Sequence, residues 1–237
     1  MIKYSAEFID AALSIADGEH SKITEREKEL YGLSSRRLRD LLNILCSKDD
    51  TKYLELGVYR GATLISAVFG NKNCKAVGVE SFKYEERELQ RWAPNGGIWP
   101  NMQTQLDANI LRYKESNAPV DTDNITIIQD DFEKVDLSGH GKFNVCFFDI
   151  TPATADSYKA FFSNIMPHMA NDCLVVFSNY SNEINASALT ETLESQTSGW
   201  TVETKRHRIS SGLSDATKYY SGILIVHFKK SILKGKS

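Results

Sequence analysis

The chain has 237 residues, 41% hydrophobic and 25% charged, so it can bury a sizeable core and is not a disordered polypeptide. Its net charge of −3 and pI of about 6.0 give no basic footprint for nucleic acid or an anionic membrane, and no apolar run is long enough to span a bilayer. The four cysteines, Cys46, Cys74, Cys146 and Cys173, lack ligand spacing, which argues against zinc and fits a reducing compartment. The opening "MIKYSAEFIDAALS" carries acids inside its apolar pattern and does not read as a signal peptide, so a cytoplasmic location is expected.

Residues 3–48 are predicted helical. "FIDAALSIA" has apolar residues at helical spacing, Thr24 and Glu27 form a capping-box pattern, and "SSRRLRDLLNILC" carries a Leu/Ile stripe opposite a charged face. Gly32 is expected to separate two helices. From residue 52 the texture changes to short β-rich runs: "KYLELG" (52–57), "KAVGVE" (75–80), "ITIIQ" (125–129), "FNVCFFD" (143–149), "CLVVFS" (173–178), "WTVETKR" (200–206) and "SGILIVHF" (221–228). Helical stretches are predicted at 61–70, 83–91, 101–115, 154–166 and 186–196. The alternation predicts an α/β fold, a mainly parallel seven-stranded sheet with helices on both faces. No helical stretch separates the last two strands, so one strand near the C-terminus is expected to run antiparallel. The chain divides into an N-terminal helical extension (1–50), a main domain (51–229) and a basic tail (230–237). The extension is expected either to lie over the strand ends as a lid or to pack on the sheet edge or a second subunit.

In such sheets ligands bind beyond the carboxyl ends of the strands. Those ends read Glu55–Gly57, Glu80, Asp130–Asp131, Asp149 and Ser178–Asn179, and four of the five carry a carboxylate. The first ends in Glu55-Leu56-Gly57-Val58-Tyr59-Arg60-Gly61. A dinucleotide turn wants G-x-G-x-x-G, and here Glu takes the first glycine's place. An acid would repel a pyrophosphate and favour a cationic group, while Gly57 and Gly61 would let the backbone approach a ligand and the helix start pack closely. Glu80 lies about twenty residues further on, where an acid takes ribose hydroxyls. Asp131, or Asp130 if the register slips by one, is placed for an adenine amine, with Phe132 flanking the ring. Val58 and Tyr59 in the turn, and Ser81 beside Glu80, complete the expected cofactor set. A cation, a ribose and an adenine without phosphate describe S-adenosylmethionine.

"LELGVYRGAT", "AVGVES", "IIQDDF" and "FNVCFFD" resemble successive motifs of the class I S-adenosylmethionine-dependent methyltransferases, over residues 50–180. The resemblance implies a Rossmann-like, doubly wound sheet and methyl transfer. It implies that Glu55 and the turn of Gly57 and Gly61 hold the methionyl end, Glu80 the ribose, and Asp131 with Phe132 the adenine. The nearest type is the small-molecule and sugar O-methyltransferases. In metal-dependent members an Asp ends the fourth strand and an Asp-Asn or Asp-Asp pair the fifth. Here Asp149 and Asn179 match but Ser178 replaces the carboxylate, and "DITPAT" replaces an Asp-Gly-x-His element, so no metal is expected.

Asp149 is the first candidate for a catalytic group, and also an expected cofactor contact. Its alternative role is to cap the next helix or order the loop. His207 and His140 are the next candidates for a base, although strand polarity puts His140 at the wrong end of the sheet. Tyr180 and Asn182 are candidates for the pocket wall or plain loop surface. In "RWAPNGGIWPN" (91–101), Trp92 and Trp99 either form a lid or tack the loop down. The expected acceptor is a small molecule methylated on oxygen. A nucleic-acid base is excluded on the pI and on the absence of an amino-methyltransferase signature, no membrane partner is expected, and a homodimer is left open. Two other readings stay open: a non-catalytic binder of the same nucleoside, and a nicotinamide oxidoreductase, which Glu55 disfavours.

Overall fold

The computed structural model describes residues 3–83, 101–116, 122–196, 199–208, 219 and 221–231. The helix expected at 83–91, the loop carrying Trp92 and Trp99, and most of the basic tail lie outside them.

Seven strands form one sheet: β1 (Lys52–Leu56), β2 (Lys75–Val79), β3 (Ile125–Ile128), β4 (Phe143–Phe148), β5 (Met169–Ser178), β6 (Trp200–Arg208) and β7 (Ile223–Lys230), in the order β3-β2-β1-β4-β5-β7-β6. Strands β1 to β5 pair in parallel, whereas β7 runs antiparallel to both β5 and β6. The antiparallel strand expected near the C-terminus is therefore β7, inserted between β5 and β6. The strand order reverses between β1 and β4, which opens a crevice at their carboxyl ends.

Successive strand residues face opposite sides, and both sides are apolar. Tyr53, Val145, Phe147, Leu174 and Val176 meet one helical layer; Leu54, Leu56, Cys146, Phe148, Val175 and Phe177 meet the other. The first layer holds α1 (Ala6–Asp17), the single turn α2 (Glu25–Lys28), α3 (Arg36–Leu45), α4 (Ala62–Val68) and α5 (Met102–Ser116). The second holds α6 (Ala155–Ala160), continued by a π turn at Phe161–Ile165, and α7 (Glu183–Gln196). On that side the Phe148 ring sits 5.5–5.8 Å from the rings of Phe132, Tyr158, Phe161 and Phe177.

The segment before β1 packs into the first layer. Ile9, Leu13, Leu38, Leu41 and Leu45 are buried there. The buried Asn43 amide donates to the carbonyls of Ser66 (2.7 Å) and Phe69 (2.8 Å), tying α3 to α4. Arg39, also buried, donates from Nη1 to the Leu30 carbonyl (2.7 Å) and from Nε to Ser34 Oγ (2.8 Å), fixing the link between α2 and α3. The capping box expected at Thr24 forms differently: Thr24 precedes α2, but its hydroxyl bonds the Glu27 carboxylate and caps no backbone N–H. Among the described residues no helix is long and apolar enough to cross a membrane.

Candidate functional site

The crevice is a cleft of about 660 Å³ bordered by the carboxyl ends of β1 to β5. The glycine turn forms its floor. Gly57 has φ +85°, and its N–H donates to the Val79 carbonyl (3.0 Å). A Cβ added to it would lie 2.4 Å from the Asp149 carbonyl oxygen. The close approach that requires glycine here is thus made by the backbone following β4; the sequence assigned it to a ligand. Gly61, at φ +79°, caps α4, and a Cβ there would meet Leu106 of α5 at 2.5 Å. It serves close packing of the helix start, as expected, but does not border the cleft.

Glu80 lines the cleft and braces this turn. Its Oε2 accepts from the N–H groups of Val58 (3.0 Å) and Tyr59 (2.8 Å), and its Oε1 from that of Phe82 (3.0 Å). Val58, Tyr59 and Ser81 border the cleft as well. Glu55 does not. It shares Tyr53's face of β1, so its side chain enters the helical layer beneath the turn, where it is fully buried. Tyr53 Oη donates to its Oε2 (2.6 Å) and Thr63 Oγ1 to its Oε1 (2.7 Å). The direct grip on a ligand expected of Glu55 is corrected to a place behind Thr63, which does border the cleft. Burial raises the Glu55 carboxyl to about 8, against the two hydroxyl bonds and with smaller contributions from Asp149 and Glu80.

Asp130, Asp131 and Phe132 all reach the cleft, so both aspartates of the doubled pair face it. Asp131 Oδ1 also accepts from the Glu133 N–H (3.0 Å), and the Phe132 ring stands edge-on to Phe148.

Asp149 closes β4, its N–H donating to the Leu56 carbonyl (2.9 Å). Asp149 is half-buried at the rim, and desolvation there pushes its carboxyl up to about 6, opposed by a hydrogen bond from Ser178, with Glu80 adding repulsion. Asn179 Nδ2 donates to Ser178 Oγ (3.0 Å), so an amide, a hydroxyl and a carboxylate run in line along the rim. Helix α6 is capped by Thr154 in a capping box with Ser157, which removes the capping role considered for Asp149.

Tyr180 and Asn182 lie away from the cleft. Tyr180 packs beside the second layer, and Asn182 Oδ1 accepts from the N–H groups of Ile184 (3.0 Å) and Asn185 (3.3 Å) at the start of α7. Among the described residues no histidine borders the cleft: His207 sits beside Tyr180, His140 lies near the start of β1, and His227 is buried against Asp172. Among them, too, no group of three His, Cys, Asp or Glu side chains could hold a metal. Several residues that line the cleft were not singled out from the sequence, among them Gly32, Leu33, Ser34, Thr63, Ser157 and Ser221. For the first three the sequence offered the helix break at Gly32 and the lid considered for the N-terminal extension, without naming residues. Ser221 arrives because antiparallel β7 starts where β5 ends.

The cleft's charge is lopsided. Glu80, Asp130, Asp131, Glu133 and Asp149 border it, with Lys83 as the one cation among the described lining residues. That donor set suits a cationic ligand with hydroxyls and an amine, and opposes a pyrophosphate.

No protein-family model matches the chain, and no curated protein matches it. Solved structures do. Cofactor-bound Rv0187 from MTB is 14% identical, with a TM-score of 0.57 over 96% of this chain and 92% of that one. The O-methyltransferase TomG from Streptomyces achromogenes, involved in tomaymycin synthesis and in complex with SAM, is 17% identical, with a TM-score of 0.56 over 97% and 92%. An rRNA methylase from Streptococcus thermophilus is 10% identical, with a TM-score of 0.50 over 82% and 94%. The fold is that of the class I S-adenosylmethionine-dependent methyltransferases, Rossmann-like as the sequence implied. The rRNA methylase overturns the expected small-molecule acceptor and the exclusion of nucleic acid. One fold serves such acceptors too, and a whole-chain pI is an average that says nothing about one face.

Proposed function

We propose that the cleft binds S-adenosylmethionine and that the chain is a methyltransferase acting on a hydroxyl oxygen presented at Asp149. The observation that carries this reading is the meeting, in one cleft at the strand-order reversal, of Glu80, Asp131, Phe132 and Asp149, with acids in large excess over cations. Glu80 and Ser81 would hold the ribose, Asp131 or Asp130 with Phe132 the adenine, and Gly57, Val58 and Tyr59 the methionyl end. Once bound, the sulfonium supplies a methyl group on an already activated leaving group. What remains for the protein is alignment of the acceptor and removal of its proton. Asp149 is the base: its carboxyl titrates near 6, low enough to be ionised at neutral pH and high enough to take a proton as the oxygen is methylated. Ser178 steadies that carboxylate from one side. Gly32, Leu33 and Ser34, held by Arg39, wall the cleft against water.

The test is thermal unfolding with S-adenosylhomocysteine, with NADH as control. Ligand at 100 times its dissociation constant adds about 2.7 kcal/mol of stability, which for a chain of this size raises the midpoint by roughly 5–10 °C. A rise with the nucleoside alone, lost in Glu80→Ala, supports the reading. A rise with NADH alone, or with neither ligand, defeats it.

A further inference from the structure

Glu55 is the deepest acid of the site, and ligand contact does not account for it. The groups acting on it come from every element around it: Tyr53 on its own strand, Cys46 after α3, Cys146 and Asp149 on β4, and Glu80 after β2. None of these is a cation. An ionised carboxylate in such a place is costly, and its folded-state pKa of about 8 leaves it mostly protonated at neutral pH. A neutral glutamine would fill the same space with the same two neighbours. Thr63 separates Glu55 from the cleft by a single hydroxyl, which lies 2.7 Å from Glu55 Oε1 and itself lines the cleft; it donates to the carboxylate, and accepts from the carboxyl O–H when Glu55 is protonated. Positive charge arriving above Thr63 would therefore act on Glu55 across one side chain, through a medium that screens little.

We propose that Glu55 is a proton-coupled charge sensor for the cofactor: protonated in the ligand-free protein, it releases its proton when a cationic ligand enters the cleft above Thr63. The inference rests on the cofactor reading given above. The balance is one carboxylic acid and one cationic ligand giving a carboxylate beside the bound cation, with the proton passed to buffer. Methyl transfer removes the sulfonium charge, so Glu55 takes a proton back from the buffer while the product is still bound. Glu55 thereby discriminates ligands by charge without touching them.

The test is titration calorimetry at pH 7 in buffers of different ionisation enthalpy, which counts protons released on binding. Three probes form a charge series: S-adenosylmethionine carries a sulfonium, an ammonium and a carboxylate, for a net charge of about +1 at pH 7; S-adenosylhomocysteine carries the ammonium and carboxylate without the sulfonium; and 5′-methylthioadenosine carries none of the three. Release should be greatest for the first, approaching roughly one proton per site, smaller for the second and near zero for the third. In Glu55→Gln the three should release alike. Should that variant fail to fold, Thr63→Val serves instead: without its hydroxyl donor Glu55 is harder to ionise, and release should fall. Equal release by all three ligands in the native chain, or unchanged release in either variant, overturns the sensor while leaving the cofactor reading intact. Absence of binding by all three overturns both.

Discussion

The two sides of the cleft are built differently. On the β1–β2 side the acids are tied to the protein: Glu80 holds three backbone N–H groups, and Glu55 is sealed between Tyr53 and Thr63. On the β4–β5 side Asp149 is partly open and steadied by Ser178, itself linked to Asn179. The first side is a preformed seat whose polar groups fix geometry. The second keeps a titratable group free to exchange a proton. Under the proposed function, binding would use the rigid frame and chemistry the available carboxylate, on opposite sides of the strand-order reversal.

The largest expected effect breaks the second side alone. Asp149→Asn should lower methyl transfer by roughly 10²–10⁴-fold while S-adenosylhomocysteine still raises the unfolding midpoint; equal loss of both would return Asp149 to the binding frame. The native rate should rise with pH through about 6, as the Asp149 carboxyl ionises, and the variant should lack that limb. The first side should break in stability and affinity together. Gly57→Ala forces a side chain into a positive-φ position against the Asp149 carbonyl, costing about 1–3 kcal/mol from backbone strain alone, read from the urea midpoint.

A finer comparison uses pH and stability. Glu55 holds a proton in the folded chain between its ordinary 4.5 and about 8, whereas the unfolded chain has lost it. The folded state therefore binds more protons across that window, and stability should fall as pH rises through it. Glu55→Gln should flatten that slope, measured by urea unfolding at several pH values; a slope unchanged in the variant would place the coupling elsewhere. The smallest effect tests a contact remote from both sides. Asp10→Ala removes an exposed, solvent-screened pair with Arg206, and should leave the urea midpoint almost where it was, with no change in ligand binding.

Much of this was legible in the sequence, for identifiable reasons. Strands buried on both faces read as unbroken apolar runs, so "FNVCFF" and "CLVVFS" declared a covered parallel sheet. A missing helix between the last two strands declared the antiparallel β7. Glu80, Asp131 and Asp149 were found because a parallel sheet gathers its strand ends on one rim. Glu55 was misplaced although the signal was present: period-two alternation puts it on Tyr53's face, inside the helical layer. Gly57 was explained by the wrong partner, because Asp149 is distant in sequence and a glycine does not say what approaches it. The wall at Gly32, Leu33 and Ser34 was announced only by a helix break and by the lid considered for the whole extension, because no pattern in the helices says which residues reach the strand ends. The acceptor was misjudged because total charge was asked to stand for a local surface.

Gly57 carries one more consequence. The peptide group of Asp149 rests on the bare Cα of Gly57, and its N–H reaches the strand just before that glycine. The glycine turn and Asp149 therefore share a pin of backbone that no side chain can adjust. Someone redesigning this protein for a new acceptor would reshape the loop after β4 first, and would find cofactor affinity moving with it. Retuning has to come from the outer walls, at Leu33, Ser34 or Ser221, away from that pin; Gly32 is closed to it, because an added Cβ would lie 2.6 Å from Ala62 Cβ.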